Sequence, residues 1–256
     1  KYDQIILSCA TRCFGKGTEI LMYDGSTKKV EDIVVGDKVM GPDSKPRNVL
    51  SLARGRETLY KVTPKRGGNP FICNASHKLA LKYIREKRGR KHYNEYMVME
   101  LKDFLNLPEN KRKHLRMYHS GAIEYPKKDL PIDPYIFGTY IGDGDKNRMR
   151  LSTVDNELVG AWREYCDALG NDYKFKVVNQ GKEGRVLYAV TINKGHGLSN
   201  AERNDKIVKY IKWIYKEFGH KRIPREYLTS SIEDRLQLLA GLIDTDGHKD
   251  SRRNRE

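Results

Sequence analysis

Two nine-residue segments of this chain share a pattern that restricts how the chain can pack. Residues 136–144 read I-F-G-T-Y-I-G-D-G, and residues 239–247 read L-A-G-L-I-D-T-D-G. Each segment closes an apolar stretch with helical spacing, carries glycine at its third place and ends in Asp-Gly. Because glycine has no side chain, two such helices could bring their backbones unusually close. The pattern therefore predicts a helix pair that meets at Gly138 and Gly241.

Local signals predict where these two helices begin and end. Pro134 can open the first helix, and a capping box at residues 231–234 (S-x-x-D) can open the second. Gly144 can close the first helix, and Gly247 is expected to end the second in a left-handed cap. The second helix has apolar residues that recur at helical spacing, as in a helix with a packed face: Leu236, Leu239, Ala240 and Ile243.

The final Asp of each segment predicts a metal site. In a close helix pair, Asp143 and Asp246 would lie side by side at the two helix C-termini. Two carboxylates there meet the negative ends of two helix dipoles, which is repulsive unless a cation lies between them. Hard oxygen ligands in this arrangement suit Mg²⁺. The candidate ligands are Asp143, Asp246, Gly142 and Thr245. The alternative is two buried core helices whose Asp-Gly pairs are simply turns.

Charge and composition restrict the classes of function that the chain could have. A length of 256 residues predicts two domains, and a formal net charge of +15 with a pI of about 9.5 predicts a polyanionic partner. A mean hydropathy of −0.75 without a long apolar run argues against a membrane span, and the N-terminus does not resemble a secretory signal. The four scattered cysteines, without metal-ligand spacing, are typical of reduced thiols in a cytoplasmic or nuclear protein: Cys9, Cys13, Cys73 and Cys166.

The pattern of the chain changes along its length. From residue 13 to about residue 83, short alternating segments separated by tight turns predict an all-β unit. Beyond residue 130 the pattern is α/β, with helices beginning at Asp155 and near Ile207 and strands at residues 173–178 and 185–192. Basic residues on or beside these strands could contact DNA phosphates or bases: Arg148, Arg150, Lys174, Lys176 and Arg185.

The two nine-residue segments resemble the signature of the LAGLIDADG homing endonucleases, from which residues 239–247 differ at one place. The order helix, strands, helix is similar to the repeated half of these enzymes, whose sheet lies in the DNA major groove. Residues 220–224 (H-K-R-I-P) resemble the K-x-I-P block of the family. The resemblance implies that Lys221 acts on the attacking water or on the phosphoryl charge.

A second resemblance covers the β-rich part. Residues 13–26 (C-F-G-K-G-T-E-I-L-M-Y-D-G-S) and 30–39 (V-E-D-I-V-V-G-D-K-V) resemble the opening block of inteins, and residues 73–79 (C-N-A-S-H-K-L) resemble their N-x-x-H block. These blocks, with G-R-E-T at residues 55–58, are similar to the inteins of vacuolar ATPases. Inteins of that type carry a LAGLIDADG endonuclease inside a β-rich splicing (Hint-type) domain, in this order.

The intein resemblance implies roles for single residues. Cys13 would attack the preceding carbonyl and turn the Arg12–Cys13 amide into a thioester. His77 would protonate the departing nitrogen, and Asn74 would donate an amide hydrogen bond to the strained carbonyl oxygen. Ser76 would help to hold His77. Cys73 is expected to be a core residue.

The resemblances together predict an organisation. Residues 1–12 would be the tail of a host protein (extein) in cis, and residues 13–95 the N-terminal part of the splicing domain. Residues 96–129, which contain the basic run 111–116 and follow another at 85–92, would form a basic linker or a DNA-contact region. Residues 130–256 would form the α/β endonuclease domain, with one repeat and the second motif helix.

This organisation predicts a chain with two activities, protein splicing without a cofactor and Mg²⁺-dependent cleavage of double-stranded DNA at a homing site. Both domains would be incomplete here, because the family's second repeat and final splicing blocks would follow residue 256. A separately made C-terminal intein fragment is therefore a possible partner. The alternatives are a free-standing LAGLIDADG DNA endonuclease or RNA maturase without splicing, and the N-terminal half of a split intein.

Overall fold

A computed structural model of the chain describes residues 13–65, 68–87, 90–93, 96–146, 148–179, 187–194 and 205–247. The chain divides into two compact units, with the boundary between Ile123 and Glu124. The residues predicted to be the host tail, 1–12, lie outside the described residues. Within the described parts of both units, no helix is long and apolar enough to span a membrane.

The described elements of the first unit are mostly short strands, with two short helices near its end. The strands are β1 (Glu19–Leu21), β2 (Thr27–Lys29), β3 (Lys38–Met40), β4 (Pro46–Asn48), β5 (Leu59–Val62), β6 (Phe71–Asn74), β7 (Lys78–Lys87), β8 (Arg90–Tyr93), β9 (Met97–Glu100) and β10 (Leu115–Met117). The helices are a 3₁₀ turn (Val30–Asp32), α1 (Leu101–Asn106) and α2 (Glu109–Arg112). All described pairings are antiparallel: β1 with β2, β3 with β4, β5 with β6, and β7 with β8, β9 and β10.

Turns and small apolar clusters hold this β-rich unit together. Gly25 and Gly36 have φ values of +80° and +92°, which glycine adopts without strain in tight turns. One cluster surrounds Cys73, which is fully buried as predicted. Its other buried members come from β7, α1 and β10: Leu79, Leu81, Leu101 and Leu115. A second, smaller cluster is formed by Met22, Ile33, Val39 and Val49.

The stretch predicted to be a basic linker or DNA-contact region, residues 96–129, is largely built into the first unit. It contains β9, α1, α2 and β10, and both of these strands pair with β7. Leu101 and Leu115 are buried beside Leu79 and Leu81, and this burial explains why the segment folds despite its charge. Residues 97–117 are therefore part of the first unit, and the boundary between units lies after residue 123; a DNA contact by this stretch stays a prediction.

The second unit has helices packed on one face of an antiparallel sheet. Its described elements are α3 (Pro134–Asp143), β11 (Arg150–Thr153), α4 (Asn156–Ala168), β12 (Tyr173–Asn179), β13 (Tyr188–Lys194), α5 (Lys206–Phe218), α6 (Arg225–Leu228) and α7 (Ile232–Asp246). The described strand order is β11-β13-β12. The core lies between this sheet and the helices, and the Trp162 indole within it donates a hydrogen bond to Thr139 Oγ1 at 2.9 Å.

Side-chain caps start the helices of this unit. Asp133 accepts from the backbone N–H groups of the first turn of α3, while Asp155, Asp205 and Ser231 cap α4, α5 and α7. Gly247 follows α7 with φ −69°, so the predicted left-handed cap is wrong there. A Cβ at this position would overlap the carbonyl oxygen of Ile243, and this close approach gives the glycine a different physical reason.

Helices α3 and α7 cross with their backbones in contact at the two motif glycines. A Cβ placed on Gly138 would overlap the Leu238 carbonyl oxygen and lie 3.1 Å from the Gly241 Cα. A Cβ on Gly241 would overlap the Tyr135 carbonyl oxygen and lie 2.8 Å from the Thr139 nitrogen. Backbone atoms of a packed helix cannot move aside as a flexible side chain can. The crossing therefore requires glycine at both positions.

This crossing decides which face of α7 is buried. Gly241 must face α3, so Leu238 and Asp234, which share its face, are buried with it. The apolar residues expected on a packed face point elsewhere: Leu236, Leu239 and Ile243 are 60%, 49% and 55% exposed. That sequence prediction is wrong because backbone contact, and not apolar side-chain area, sets the orientation of the helix.

Alanine at either crossing position is expected to destabilise the second unit. Gly138→Ala and Gly241→Ala should each lower the free energy of unfolding by about 3 kcal/mol, because the added methyl meets backbone. Denaturant titration followed by tryptophan fluorescence measures this, since both tryptophans, Trp162 and Trp213, lie in the second unit.

The matched control is Gly160→Ala on α4, where a Cβ has nothing within 4 Å. This change should leave stability unchanged or raise it by up to about 1 kcal/mol, through helix propensity. Equal effects at positions 138, 241 and 160 would contradict the backbone-contact explanation.

Candidate functional sites

Cys13 lies against the end of β6 in the first unit. Its backbone N–H donates to Asn74 Oδ1 at 3.1 Å, and its carbonyl oxygen accepts from the Asn74 backbone N–H at 3.0 Å. The next residues continue this attachment, because Phe14 pairs with Cys73 and the Gly15 N–H donates to the Ile72 carbonyl at 2.7 Å. Asn74 thus holds both the backbone N–H and the backbone carbonyl of Cys13.

Asn74 is fully buried at the end of β6, and both ends of its side-chain amide are used. Its Oδ1 accepts from Cys13, and its Nδ2 donates to Glu57 Oε2 at 2.9 Å. The predicted donation to the carbonyl of Arg12 lies outside the described residues. Glu57 was not among the predicted site residues, because nothing in its exposed, polar surroundings distinguishes it from other glutamates.

His77 follows Asn74 after the tight turn that ends β6, and it lies beside the segment that contains Cys13. Its ring packs on Phe14, the residue after Cys13, with 4.4 Å between ring centroids, and it lies 6.2 Å from the ring of Phe71. Its backbone N–H donates to the Asn74 carbonyl at 3.2 Å. Ser76 is half-buried in the turn between β6 and β7, directly before His77. The fold therefore brings Cys13, Asn74, Ser76 and His77 into one region.

The described cysteines differ in how their thiols are placed. Burial raises the pKa of Cys73, and burial together with Asp167 raises the pKa of Cys166. A raised pKa lowers the fraction of thiolate, which is the nucleophilic form. Cys13 is half-buried. Burial thus argues against Cys73 and Cys166 as nucleophiles.

In the second unit, the helix crossing brings two carboxylates together. Asp143 and Asp246 are the last residues of α3 and α7. Partial burial and the neighbouring Asp246 raise the pKa of Asp143, while Lys221 opposes this shift. The approach is tight, since a Cβ on Gly142 would lie 3.4 Å from Asp246 Oδ2. The paired motifs thus place two negative charges at two helix C-termini, as the sequence predicted.

Lys221, from the segment between α5 and α6, reaches the same place. Its Nζ donates to the Gly142 carbonyl at 2.5 Å and to the Gly144 carbonyl at 3.1 Å. Burial lowers the pKa of Lys221, although Asp143, Asp246 and Asp145 each act to raise it. The ammonium is thus a partly buried cation beside a carboxylate pair. Residues more than 70 positions apart in sequence meet here.

The two carboxylates fit Mg²⁺, which takes oxygen ligands and is often held by one or two carboxylates with water or phosphate completing its shell. The two other candidate ligands are engaged with the protein. The Gly142 carbonyl accepts from Lys221, and the Thr245 hydroxyl bonds to the carbonyls of Gly241 and Leu242 at 3.0 and 3.2 Å. Among the described residues, no group of three or more His, Cys, Asp or Glu side chains is placed to hold a metal ion.

The sheet of the second unit presents a basic face. Lys176 and Arg150 both pair with Thr191 across β13, so they share a face with Lys174, opposite the core. Both lysines are exposed, and Arg150 forms an ion pair with Asp145 at 3.3 Å. Arg148 is exposed just before β11, and Arg185 lies outside the described residues.

This face lies close to the carboxylate pair within the same unit. Gly144, the residue after Asp143, forms a β-bridge with Leu151, which follows Arg150 in β11. The end of α3 is therefore tied to the edge of the sheet.

Comparisons with known proteins cover the first unit and, in one case, most of the chain. Residues 13–127 match the family described as Hom_end-associated Hint. The catalytic subunit of the V-type proton ATPase of Candida tropicalis is 46% identical over 79 residues, which is 27% of this chain and 7% of that protein. The replicative DNA helicase DnaB of Mycobacterium intracellulare is 24% identical over 234 residues, 84% of this chain and 34% of that protein. The chain thus matches only a small part of each relative.

The strands, the turns and the family match together define the first unit as a β-rich Hint-type domain. The match to a V-type ATPase then supports an intein, a protein-splicing element carried within a host protein.

Proposed function

We propose that the first unit carries out the first step of protein splicing, an N–S acyl shift at the Arg12–Cys13 bond. One observation supports this most directly: the N–H of Cys13 is held by the buried Asn74, and the residue after Cys13 packs on His77. The host protein would precede Cys13, with residues 1–12 as its last segment. No cofactor is needed, because the reaction is an isomerisation of the chain itself.

The step uses groups that the fold brings together. The Cys13 sulfur attacks the Arg12 carbonyl carbon, the C–N bond breaks, and a thioester and a free amine result. The thiol loses one proton and the nitrogen gains one, so the step is balanced. His77, whose ring packs on the residue after Cys13, would supply a proton to the departing nitrogen, as an imidazole can near neutral pH. Asn74 orients the nitrogen through its N–H.

Release of a tag fused before Lys1 tests this function. Dithiothreitol or hydroxylamine should cleave the thioester and release the tag with residues 1–12, slowly and without added metal. Mass spectrometry should find a new N-terminus at Cys13. A new N-terminus at any other residue, or a tag that stays attached under these nucleophiles, would rule out the acyl shift.

We propose further that the second unit is a LAGLIDADG homing endonuclease domain that cleaves double-stranded DNA. The supporting observation is that Asp143, Asp246 and Lys221 converge at the helix crossing, beside the basic sheet face. Asp143 and Asp246 would hold Mg²⁺, which when bound supplies Lewis-acid stabilisation of phosphate charge. Lys221 would orient the attacking water or stabilise the phosphoryl charge, and the basic face would hold the DNA backbone.

DNA binding is expected to weaken steeply with salt. Each phosphate neutralised by the basic face releases counterions, so the logarithm of the binding constant should fall with log salt by about 0.9 per contact. Lys174→Ala and Lys176→Ala should each reduce this slope by about 1. Fluorescence anisotropy with a labelled duplex at several salt concentrations measures both effects.

Lys212→Ala is the matched control, because Lys212 is an exposed lysine on α5, away from the sheet face. It should leave the slope unchanged. A flat salt response of the parent chain would argue against a nucleic-acid partner. A free-standing endonuclease or RNA maturase, the alternative function, would bind nucleic acid but leave Cys13 inert in the release assay.

A further inference from the structure

A chain of hydrogen bonds links an exposed carboxylate to the backbone amide of Cys13. Glu57 Oε2 accepts from Asn74 Nδ2 at 2.9 Å, and Asn74 Oδ1 accepts from the Cys13 N–H at 3.1 Å. Glu57 lies outside the strands, between β4 and β5, and its side chain is exposed, whereas Asn74 is fully buried. The contact therefore adds little apolar packing. Its consequence is confined to the orientation of Asn74.

The orientation of Asn74 matters because its side chain has two chemically different ends of nearly equal size. A half-turn about the last bond would exchange Oδ1 and Nδ2 and would place two donors against each other at Cys13. A carboxylate can only accept hydrogen bonds, so Glu57 admits Nδ2 and excludes Oδ1. Its negative charge also polarises the amide and makes Oδ1 a stronger acceptor.

We infer that Glu57 is a positioning residue for the acyl shift, acting through Asn74 on the nitrogen of the Arg12–Cys13 bond; the inference rests on the proposed splicing function. In the shift, the sulfur–carbon bond forms and the carbon–nitrogen bond breaks, so the amide nitrogen becomes an amine. Once protonated, this amine is a stronger hydrogen-bond donor than the amide it replaces. The acceptor that Glu57 holds towards it stabilises the nitrogen as it leaves.

The test measures dithiothreitol-induced release from the tagged chain at saturating thiol. Glu57→Ala should slow release about tenfold, as expected for loss of a hydrogen bond to a charged group. Glu57→Gln keeps an acceptor within reach of Asn74 but loses the charge and adds a donor, so it should recover only part of the rate. Glu19→Ala, which removes an exposed carboxylate from β1, is the control and should release at the parent rate.

The double variant decides whether Glu57 acts through Asn74. If it does, Glu57→Ala should have no further effect in an Asn74→Ala background, because coupled residues are not additive. An equal tenfold loss in both backgrounds would overturn the inference. So would a parent rate in Glu57→Ala. A parent chain that releases nothing refutes the splicing function itself, which is a different result.

A spectroscopic readout separates positioning from general loss of structure. With ¹⁵N-labelled cysteine, the four cysteines give amide signals, and that of Cys13 is assigned by its absence in Cys13→Ser. Glu57→Ala should move the Cys13 amide proton signal upfield, as a hydrogen bond is weakened, and leave that of the buried Cys73 in place. A Cys13 signal that does not move would contradict the inference. Movement of all signals would assign Glu57 a structural role instead and would also contradict it.

Discussion

Replacing Cys13 with alanine is expected to abolish thiol-dependent release of a tag fused before Lys1. The shift requires a nucleophilic sulfur next to the Arg12 carbonyl, and alanine has none. His77→Ala should slow release by a factor on the order of 10² or more, because the departing nitrogen then loses its proton donor. The rates are measured by gel densitometry of the released tag, and the product is identified by mass spectrometry.

The control for this prediction is Cys9→Ser, which removes a thiol only four residues before Cys13. Release should continue at the parent rate in this variant, with the new N-terminus unchanged. Continued release of the tag in Cys13→Ala would rule out Cys13 as the nucleophile. A normal rate in His77→Ala would leave the nucleophile in place and exclude His77 as the proton donor.

The second large effect is expected at the carboxylate pair. In the full-length protein, Asp143→Asn or Asp246→Asn should abolish Mg²⁺-dependent strand cleavage, because either change removes half of the negative charge that would hold the metal ion. DNA binding should largely survive, since the basic sheet face is untouched. Cleavage is measured on supercoiled plasmid carrying the target site, and binding by anisotropy. Cleavage that persists unchanged in both variants would remove these residues from the proposed active site.

Stability supplies an independent check on the same pair. The pKa of Asp143 is raised in the folded protein by burial and by Asp246, so the folded state favours the protonated form. Stability should therefore decline as pH rises through and above the ordinary range of an aspartic acid. Asp143→Asn should remove this decline and make the second unit more resistant to denaturant at neutral pH. Asp167→Asn, at an exposed carboxylate on α4, is the control and should do neither.

Several parts of the fold could be predicted because they depend on short stretches of sequence. The helix starts at Pro134 and Asp155 and the paired strands β12 and β13 follow from local residue preferences and alternation. The close helix pair followed from two glycines at equivalent places in two segments. In each case the determining residues lie within one element or repeat the same pattern.

Other parts depend on contacts between distant residues and were missed or misread. Glu57 reaches Asn74 across 17 residues through a loop whose path no local pattern specifies. Lys221 meets the carbonyl of Gly142 across 79 residues, and resemblance to a family was needed to single it out. The packed face of α7 was misread because apolar spacing alone cannot reveal a backbone contact. The inclusion of residues 97–117 in the first unit depends on the burial of the leucines at 101 and 115, which the charge of the surrounding sequence obscures.

The glycine crossing also limits how this unit can change over evolutionary time. At most helix contacts, a larger residue on one helix can be accommodated by a smaller one on its partner. Gly138 and Gly241 are already the smallest residues, so neither can compensate for growth of the other. A single substitution of either glycine is therefore expected to be selected against. The exposed positions 236, 239 and 243 on the same helix do not carry this particular restriction.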